Sequence, residues 1–110
     1  TLPLRKLADV EPDDPMTRVN DGRADRNGGF VFGTKSEHAD NRKAGRFYQY
    51  TAAHGLRELR LPAAAIPNSI CFDKDGTRMY FCDSVEPRIL CCDYDAAKAS
   101  ISNSRFWALT

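Results

Sequence analysis

The side chains best suited to nucleophilic or metal chemistry are four cysteines, and their spacing argues against two common kinds of site. They are Cys71, Cys82, Cys91 and Cys92. None stands in the Cys-x-x-Cys pair that closes a zinc site, and no serine lies in the Gly-x-Ser-x-Gly turn of a serine hydrolase. Each cysteine lies in an apolar stretch, so we expect buried, reduced thiols and therefore a reducing, cytoplasmic compartment.

Two asparagines, Asn20 and Asn68, occupy matched positions of an internal repeat. They are separated by 48 residues, and an Asp-x-x-Gly sequence recurs at the same interval, at 25–28 and 73–76. Asparagine often precedes a turn for purely local reasons, so a turn role stays open for both. The matched positions favour instead a shared polar site to which each repeat contributes one amide.

The elements that must position these residues are predicted to be short strands joined by tight turns. Each Asp-x-x-Gly sequence has the chemistry of a type I turn or a bulged hairpin. The stretch 95–100 is too short for an independent helix, so we interpret it as a loop. An all-β chain is therefore predicted. Six aromatic or β-branched runs predict its strands: 30–32, 46–50, 56–61, 69–72, 79–82 and 89–92.

A repeat of this length, built from consecutive antiparallel strands, is typical of a β-propeller blade. On this interpretation residues 1–110 form a partial propeller domain of about two four-stranded antiparallel blades, near 18–66 and 67–110. Propellers close with about four to eight blades. The chain also begins with Thr1, so we expect a piece of a larger protein whose open blade edges invite self-association. A small β-sandwich with coincidental hairpins is the alternative.

Composition and charge argue against a polyanionic partner. The hydrophobic fraction of 42% is typical of a folded domain. Sixteen basic residues face fifteen acidic ones, which gives a formal net charge of +1. No overall field would attract nucleic acid or an anionic membrane, and no apolar run is long enough to span a bilayer. Near the end of the chain, Phe106 and Trp107 are expected to be core residues of an outer strand.

Three stretches of the sequence resemble a single protein family. They are RVNDGRAD at 18–25 with GGFVFGT at 28–34, PNSICFDKDG at 67–76, and MYFCDS at 79–84. Together they resemble the senescence marker protein, gluconolactonase and regucalcin family. The resemblance implies a six-bladed β-propeller that hydrolyses a sugar lactone with one divalent cation in its central channel: calcium, zinc, magnesium or manganese. A non-enzymatic calcium-binding or interaction propeller module is the alternative function.

The same resemblance implies roles for five residues. Asn68 matches a metal-ligating asparagine, which would bind through its side-chain oxygen. Arg18 and Asn20 match positions that orient the substrate. Asp21 would support those two side chains, and Glu37 is the candidate for an acidic substrate contact. No catalytic residue is expected within the chain, because the family's glutamate ligand belongs to an earlier blade and its proton-transferring aspartate to a later one.

Overall fold

The chain folds into eight β-strands, in a computed structural model that describes residues 4–37, 44–64 and 66–109. Within these residues there is no helix, as predicted for an all-β fold, and hence none that could cross a membrane. The strands are β1 (Thr17–Ala24), β2 (Phe30–Ser36), β3 (Gly45–Thr51), β4 (Gly55–Ala64), β5 (Pro67–Phe72), β6 (Arg78–Asp83), β7 (Arg88–Asp95) and β8 (Ser100–Leu109).

These strands form two antiparallel four-stranded sheets, each made of consecutive strands. The first sheet has the order β1-β2-β3-β4 and the second has the order β5-β6-β7-β8. Every neighbouring pair is antiparallel. Antiparallel neighbours of this kind need no crossover connection within either sheet. The loop interpretation of 95–100 also agrees with the structure, which has a turn at 96–99 between β7 and β8.

Two strands, β1 and β8, lie outside the six runs that predict strands. Both are mostly exposed along their length. Because the residue preferences of strands mainly reflect packing on a half-buried pleated surface, an exposed strand gives only a weak signal in the sequence. The expectation that Phe106 and Trp107 are core residues is wrong, because their exposed fractions are 54% and 52%. They lie on β8, which ends the second sheet, and Trp107 packs edge-on against Tyr80 at 5.3 Å between ring centroids.

The hydrophobic core lies between the two sheets. Val31, Phe47 and Leu59 of the first sheet and Met79 and Phe81 of the second are almost fully buried in it. The rings of Phe47 and Phe81 meet edge to face, with 5.1 Å between their centroids. Since the core residues come from both sheets, neither sheet buries its inner face without the other.

The cysteines are free thiols, as expected from the apolar stretches in which they lie. Cys82, Cys91 and Cys92 are buried, whereas Cys71 is partly exposed. Burial and the neighbouring Cys91 raise the pKa of Cys92 to about 12. These thiols therefore pack as small hydrophobic groups, with the partial exception of Cys71.

The two repeated aspartates form turns, as their Asp-x-x-Gly setting predicts. Oδ1 of Asp25 accepts hydrogen bonds from the N–H groups of Asn27 and Gly29, each at 2.8 Å. Oδ1 of Asp73 accepts from the N–H groups of Thr77 at 2.9 Å and Arg78 at 3.1 Å. Each carboxylate thus holds the start of the strand that follows it.

Asp25 has a second contact that joins the sheets. Its Oδ2 accepts a 2.7 Å hydrogen bond from the hydroxyl of Tyr94 on β7, and that hydroxyl accepts one from Nε2 of Gln49 on β3 at 2.8 Å. Arg57 of β4 continues this chain by donating to Oε1 of Gln49 at 2.9 Å. We call these four side chains the seam network; Gln49 and Asp25 are buried within it.

Candidate functional site

The candidate site begins at a bulge in β1. The pairing of β1 with β2 is regular up to Val19 and shifts register before Gly22, so Asn20 and Asp21 together face the single residue Gly33. In a regular strand, neighbouring side chains point to opposite faces. A bulge bends the strand and re-aims its side chains, and here both polar residues reach the second sheet.

Gly33 allows the second sheet to approach this bulge. A Cβ atom added at Gly33 would lie 2.5 Å from Cβ of Pro67, the first residue of β5. Carbon atoms in contact are separated by about 3.5–4.0 Å, so only glycine fits here. The absence of a side chain at position 33 is thus what brings the start of β5 against the bulge of β1.

A second bulge occurs in β5, one residue later than the 48-residue interval would place it. The pairing of β5 with β6 shifts register between Asn68 and Cys71. Ser69 lies within this bulge and has a φ of +57°, in the left-handed region. Residues other than glycine are uncommon in that region, and those held there by the surrounding structure cluster at functional sites.

The two bulges are joined by hydrogen bonds across the sheets. Nδ2 of Asn20 donates to the backbone oxygen of Pro67 at 3.1 Å, and the N–H of Ser69 donates to Oδ2 of Asp21 at 2.8 Å. Asn68 lies between the two residues so held. The structure therefore brings Asn20, Asp21 and Asn68 together, three of the five residues whose site roles the resemblance implies.

The side chain of Asn68 has its own partners. Its Nδ2 donates to the hydroxyl of Ser84 at 3.0 Å. Its Oδ1 accepts from the N–H of Ser69 at 2.9 Å, so that N–H is shared between Asn68 and Asp21. An amide oxygen has two lone pairs, and one of those on Asn68 is therefore available to a ligand.

Arg18 and Glu37 form a second polar group near the start of β1. Nε of Arg18 lies 3.0 Å from Oε1 of Glu37, and Nζ of Lys35 lies 3.6 Å from the same oxygen. The N–H of Glu37 also donates to the backbone oxygen of Met16 at 2.6 Å. The structure thus pairs Arg18 and Glu37, the remaining two of the five residues, with each other. Arg18 lies two positions before Asn20 on β1.

Sequence reasoning missed three residues that build this site: Gly33, Ser69 and Ser84. Ser84 holds the amide of Asn68, and Asp83 beside it caps a turn, because its Oδ1 accepts from the N–H groups of Ile66 and Val85. A Gly facing a bulge and a Ser inside one carry no signal in local composition. All three lie in the stretches that resemble the family, but the parts that Gly33 and Ser69 play follow only from the strand register, which sequence alone does not give.

The donor set of the site fits a hard divalent cation, but only as part of a shell. An amide oxygen such as Oδ1 of Asn68 is a donor type that calcium and magnesium accept. Among residues 4–37, 44–64 and 66–109, no group of three or more His, Cys, Asp or Glu side chains is placed to hold a metal. Since calcium takes six to eight oxygens in general, these residues could supply one ligand, not a complete site.

Comparison with known proteins agrees with these features. A sequence profile described as the SMP-30/Gluconolactonase/LRE-like region matches residues 1–110. The chain is 52% identical over 90 residues to the L-arabinolactonase of Azospirillum brasilense. The aligned region covers 81% of the chain and 30% of that protein.

Two solved structures resemble the fold. A luciferin-regenerating enzyme matches 91% of the chain and 33% of its own length, with a TM-score of 0.80 and 32% identity. A regucalcin from Agrobacterium tumefaciens strain C58, described as a calcium-binding protein, matches 88% of the chain and 32% of its own length, with a TM-score of 0.74 and 32% identity. The two sheets are thus two blades of a β-propeller, and the chain spans about a third of the length of the proteins it matches.

Proposed function

Because the chain belongs to the family of SMP-30, gluconolactonase and LRE-like proteins, we propose that it is part of an enzyme that hydrolyses a sugar lactone. The identity to an L-arabinolactonase supports L-arabinolactone, or a closely related sugar lactone, as the substrate. The observation that carries the proposal is the joint between the two blades, where Asn20 and Asp21 bind the backbone on either side of Asn68. Convergent polar groups of this kind suit a polyhydroxylated small molecule.

Arg18, Asn20 and Glu37 are assigned to the substrate. A guanidinium has five N–H donors, so an Arg18 whose Nε faces Glu37 keeps others for the hydroxyls of a lactone. Asn20 uses one amide hydrogen on the backbone oxygen of Pro67, and its side-chain oxygen would accept from a hydroxyl. Glu37 orients the Arg18 guanidinium and accepts from the substrate with its other oxygen.

Asn68 is assigned to the cation, through its side-chain oxygen. When bound, a divalent cation such as calcium, zinc, magnesium or manganese polarises the lactone carbonyl and acidifies a water molecule. Its other ligands, a glutamate and an aspartate in the family, would come from parts of the propeller outside residues 1–110. For this reason we assign no catalytic residue to this chain.

The proposal is tested by acid release from L-arabinolactone and from gluconolactone. The complete protein should produce acid in the presence of a divalent cation, and Asn68→Ala should lower kcat/KM by at least about 100-fold, since even residues behind a metal ligand cost 10–100-fold. The matched control is Asn27→Ala, in the exposed turn after β1, which should leave the rate within about twofold, as for most exposed surface changes. A complete protein without turnover on any sugar lactone would refute the proposal.

A calcium-binding protein without lactonase activity is the second candidate, favoured by the description of the Agrobacterium regucalcin as calcium-binding. Fold alone does not choose between the two functions. Calcium titration of the complete protein separates them. Calcium binding that is unchanged by Asn68→Ala, together with no lactone turnover, would favour this second function.

We also infer that the chain by itself associates through its open surfaces and that its natural compartment is reducing and cytoplasmic. Phe106, Trp107 and Leu109 are more than half exposed on β8, and exposed apolar strands promote pairing with other chains. The free thiols support a reducing compartment. Light scattering at about 100 μM, a concentration at which open strand edges associate, tests the association. A monomer mass at that concentration would refute it. A disulfide in the natural protein would refute the second inference.

A further inference from the structure

We propose that Asp21 is a positioning residue for the cation ligand Asn68, and that it acts through the backbone of Ser69. The inference rests on the proposed function, in which the side-chain oxygen of Asn68 binds the cation. Asp21 would touch neither the cation nor the lactone. Its role is to hold the Asn68–Ser69 peptide in the one conformation that presents the Asn68 oxygen.

The first support is the conformation of Ser69. Its φ of +57° is left-handed, a conformation that costs free energy for any residue with a side chain. Such a conformation persists only when its surroundings hold it. The hydrogen bond from the Ser69 N–H to Oδ2 of Asp21, at 2.8 Å, is a charge-assisted contact of the kind that can hold it.

The second support is that Asn68 is held from both sides by one bulge. Asn20 binds the backbone oxygen of the residue before it, Pro67, and Asp21 binds the N–H of the residue after it, Ser69. Two consecutive residues of a regular strand could not both face the second blade. The bulge in β1 is therefore what fixes the backbone of the next blade at the position of the proposed ligand.

The third support is the sharing of the Ser69 N–H. The Ser69 nitrogen also lies 2.9 Å from Oδ1 of Asn68. Without the Asp21 carboxylate, the N–H would bond to Oδ1 alone and draw that oxygen toward its own backbone. When the Asp21 carboxylate also accepts from the Ser69 N–H, the hydrogen bond from that N–H to Oδ1 of Asn68 is weaker. Oδ1 is then a better ligand for a cation.

The experiment measures manganese affinity of the complete protein by calorimetric titration, for four proteins: wild type, Asp21→Ala, Asp21→Ala with Ser69→Gly, and Ser69→Gly alone. We expect Asp21→Ala to weaken manganese binding by about 10–100-fold, as for other residues that orient a ligand. Glycine adopts a left-handed φ without steric cost, so Ser69→Gly should restore several-fold of that loss, whereas Ser69→Gly alone should change affinity by less than about threefold. Asp75→Ala, in the exposed turn after β5, is the matched control for loss of a carboxylate.

The outcomes are distinguishable. Wild-type protein that binds no manganese and hydrolyses no lactone refutes the proposed function itself. Wild-type binding that Asp21→Ala leaves unchanged overturns only the role of Asp21. A loss that Ser69→Gly does not recover also overturns it, because the effect would then not act through the Ser69 backbone.

Kinetics and a second variant complete the test. At saturating manganese, Asp21→Ala should hydrolyse arabinolactone with most of the wild-type kcat, because added cation offsets weaker binding. A kcat that stays low would overturn the role of Asp21.

If Asp21→Ala does not fold, Asp21→Asn replaces it. Its neutral oxygen accepts a weaker hydrogen bond, so a smaller loss of about threefold, again recovered by Ser69→Gly, is expected, and a loss without that recovery overturns the proposal.

Discussion

Replacing Tyr94 by Phe should remove hydrogen bonds between the two blades while keeping the packing of the ring. The Tyr94 hydroxyl donates to Oδ2 of Asp25 at 2.7 Å and accepts from Nε2 of Gln49 at 2.8 Å. The phenyl ring of the variant can still pack against Phe72, whose centroid lies 5.1 Å away. The substitution therefore tests the hydrogen bonds of the seam network and not the core.

The expected cost follows from these two contacts. A hydrogen bond to a charged group contributes about 1.5–3 kcal/mol and a neutral one about 1 kcal/mol. Nε2 of Gln49 keeps its second bond, to the backbone oxygen of Ala96 at 2.7 Å. We therefore expect Tyr94→Phe to lower the free energy of unfolding of the chain by about 3 kcal/mol at pH 7.

The loss should depend on pH through Asp25. Burial raises the pKa of Asp25, but hydrogen bonds from Tyr94, Asn27 and Gly29 lower it by more, so the net pKa is below its ordinary value. A lowered folded-state pKa stabilises the protein above the unfolded-state pKa of about 3.9, and that stabilisation is lost as the pH falls through the folded-state pKa. The difference between wild type and Tyr94→Phe should therefore shrink between pH 4 and pH 2, by the same linkage.

Urea denaturation followed by Trp107 fluorescence, at pH 7 and at about pH 2.5, a value below the ordinary Asp pKa, measures both effects. Tyr50→Phe is the matched control, since Tyr50 neighbours Gln49 on β3 and points to the other face of the sheet. It should cost less than about 0.5 kcal/mol. A loss below about 1 kcal/mol for Tyr94→Phe at pH 7, the contribution of one neutral hydrogen bond, or a loss that does not shrink in acid, would refute this account of the seam.

Two further predictions concern the site. Gly33→Ala should destabilise the chain by about 1–3 kcal/mol, the usual cost of overpacking, because its Cβ would lie 2.5 Å from that of Pro67. If urea denaturation shows no loss of unfolding free energy, the two blades do not approach each other at Gly33. The 110-residue chain alone should bind calcium no more tightly than about 1 mM, since one amide oxygen is a small part of a calcium shell; micromolar binding in a calorimetric titration would show that the chain carries a full site.

The repeated turns show what the sequence could predict. Asp25 and Asp73 form their turns through bonds to N–H groups two to five residues away, so this turn-forming role is local and visible in an Asp-x-x-Gly sequence. The contact of Asp25 with Tyr94, 69 residues further along the chain, is not. The number and antiparallel order of the sheets follow from the same repeat. β1 and β8 were harder to predict because their residues are mostly exposed, which removes the hydrophobic pattern on which strand prediction depends.

The candidate site was predictable only in part. The 48-residue interval pairs Asn20 with Asn68, and the structure brings them to the same joint. The roles of Gly33 and Ser69 depend on two strand bulges and on the approach of one sheet to another. The prediction that Phe106 and Trp107 are core residues failed for a related reason, since hydrophobicity does not tell which face of a sheet is covered.

The most direct test of a cation site at the joint between the two blades is anomalous diffraction from crystals of the complete protein soaked in manganese. We expect an anomalous peak about 2.0–2.6 Å from Oδ1 of Asn68, the range of cation–oxygen distances for magnesium and calcium. The Asp21–Ser69 hydrogen bond should still be present in that structure. A manganese peak held entirely by other side chains, with the Asn68 amide turned away from it, would contradict the account.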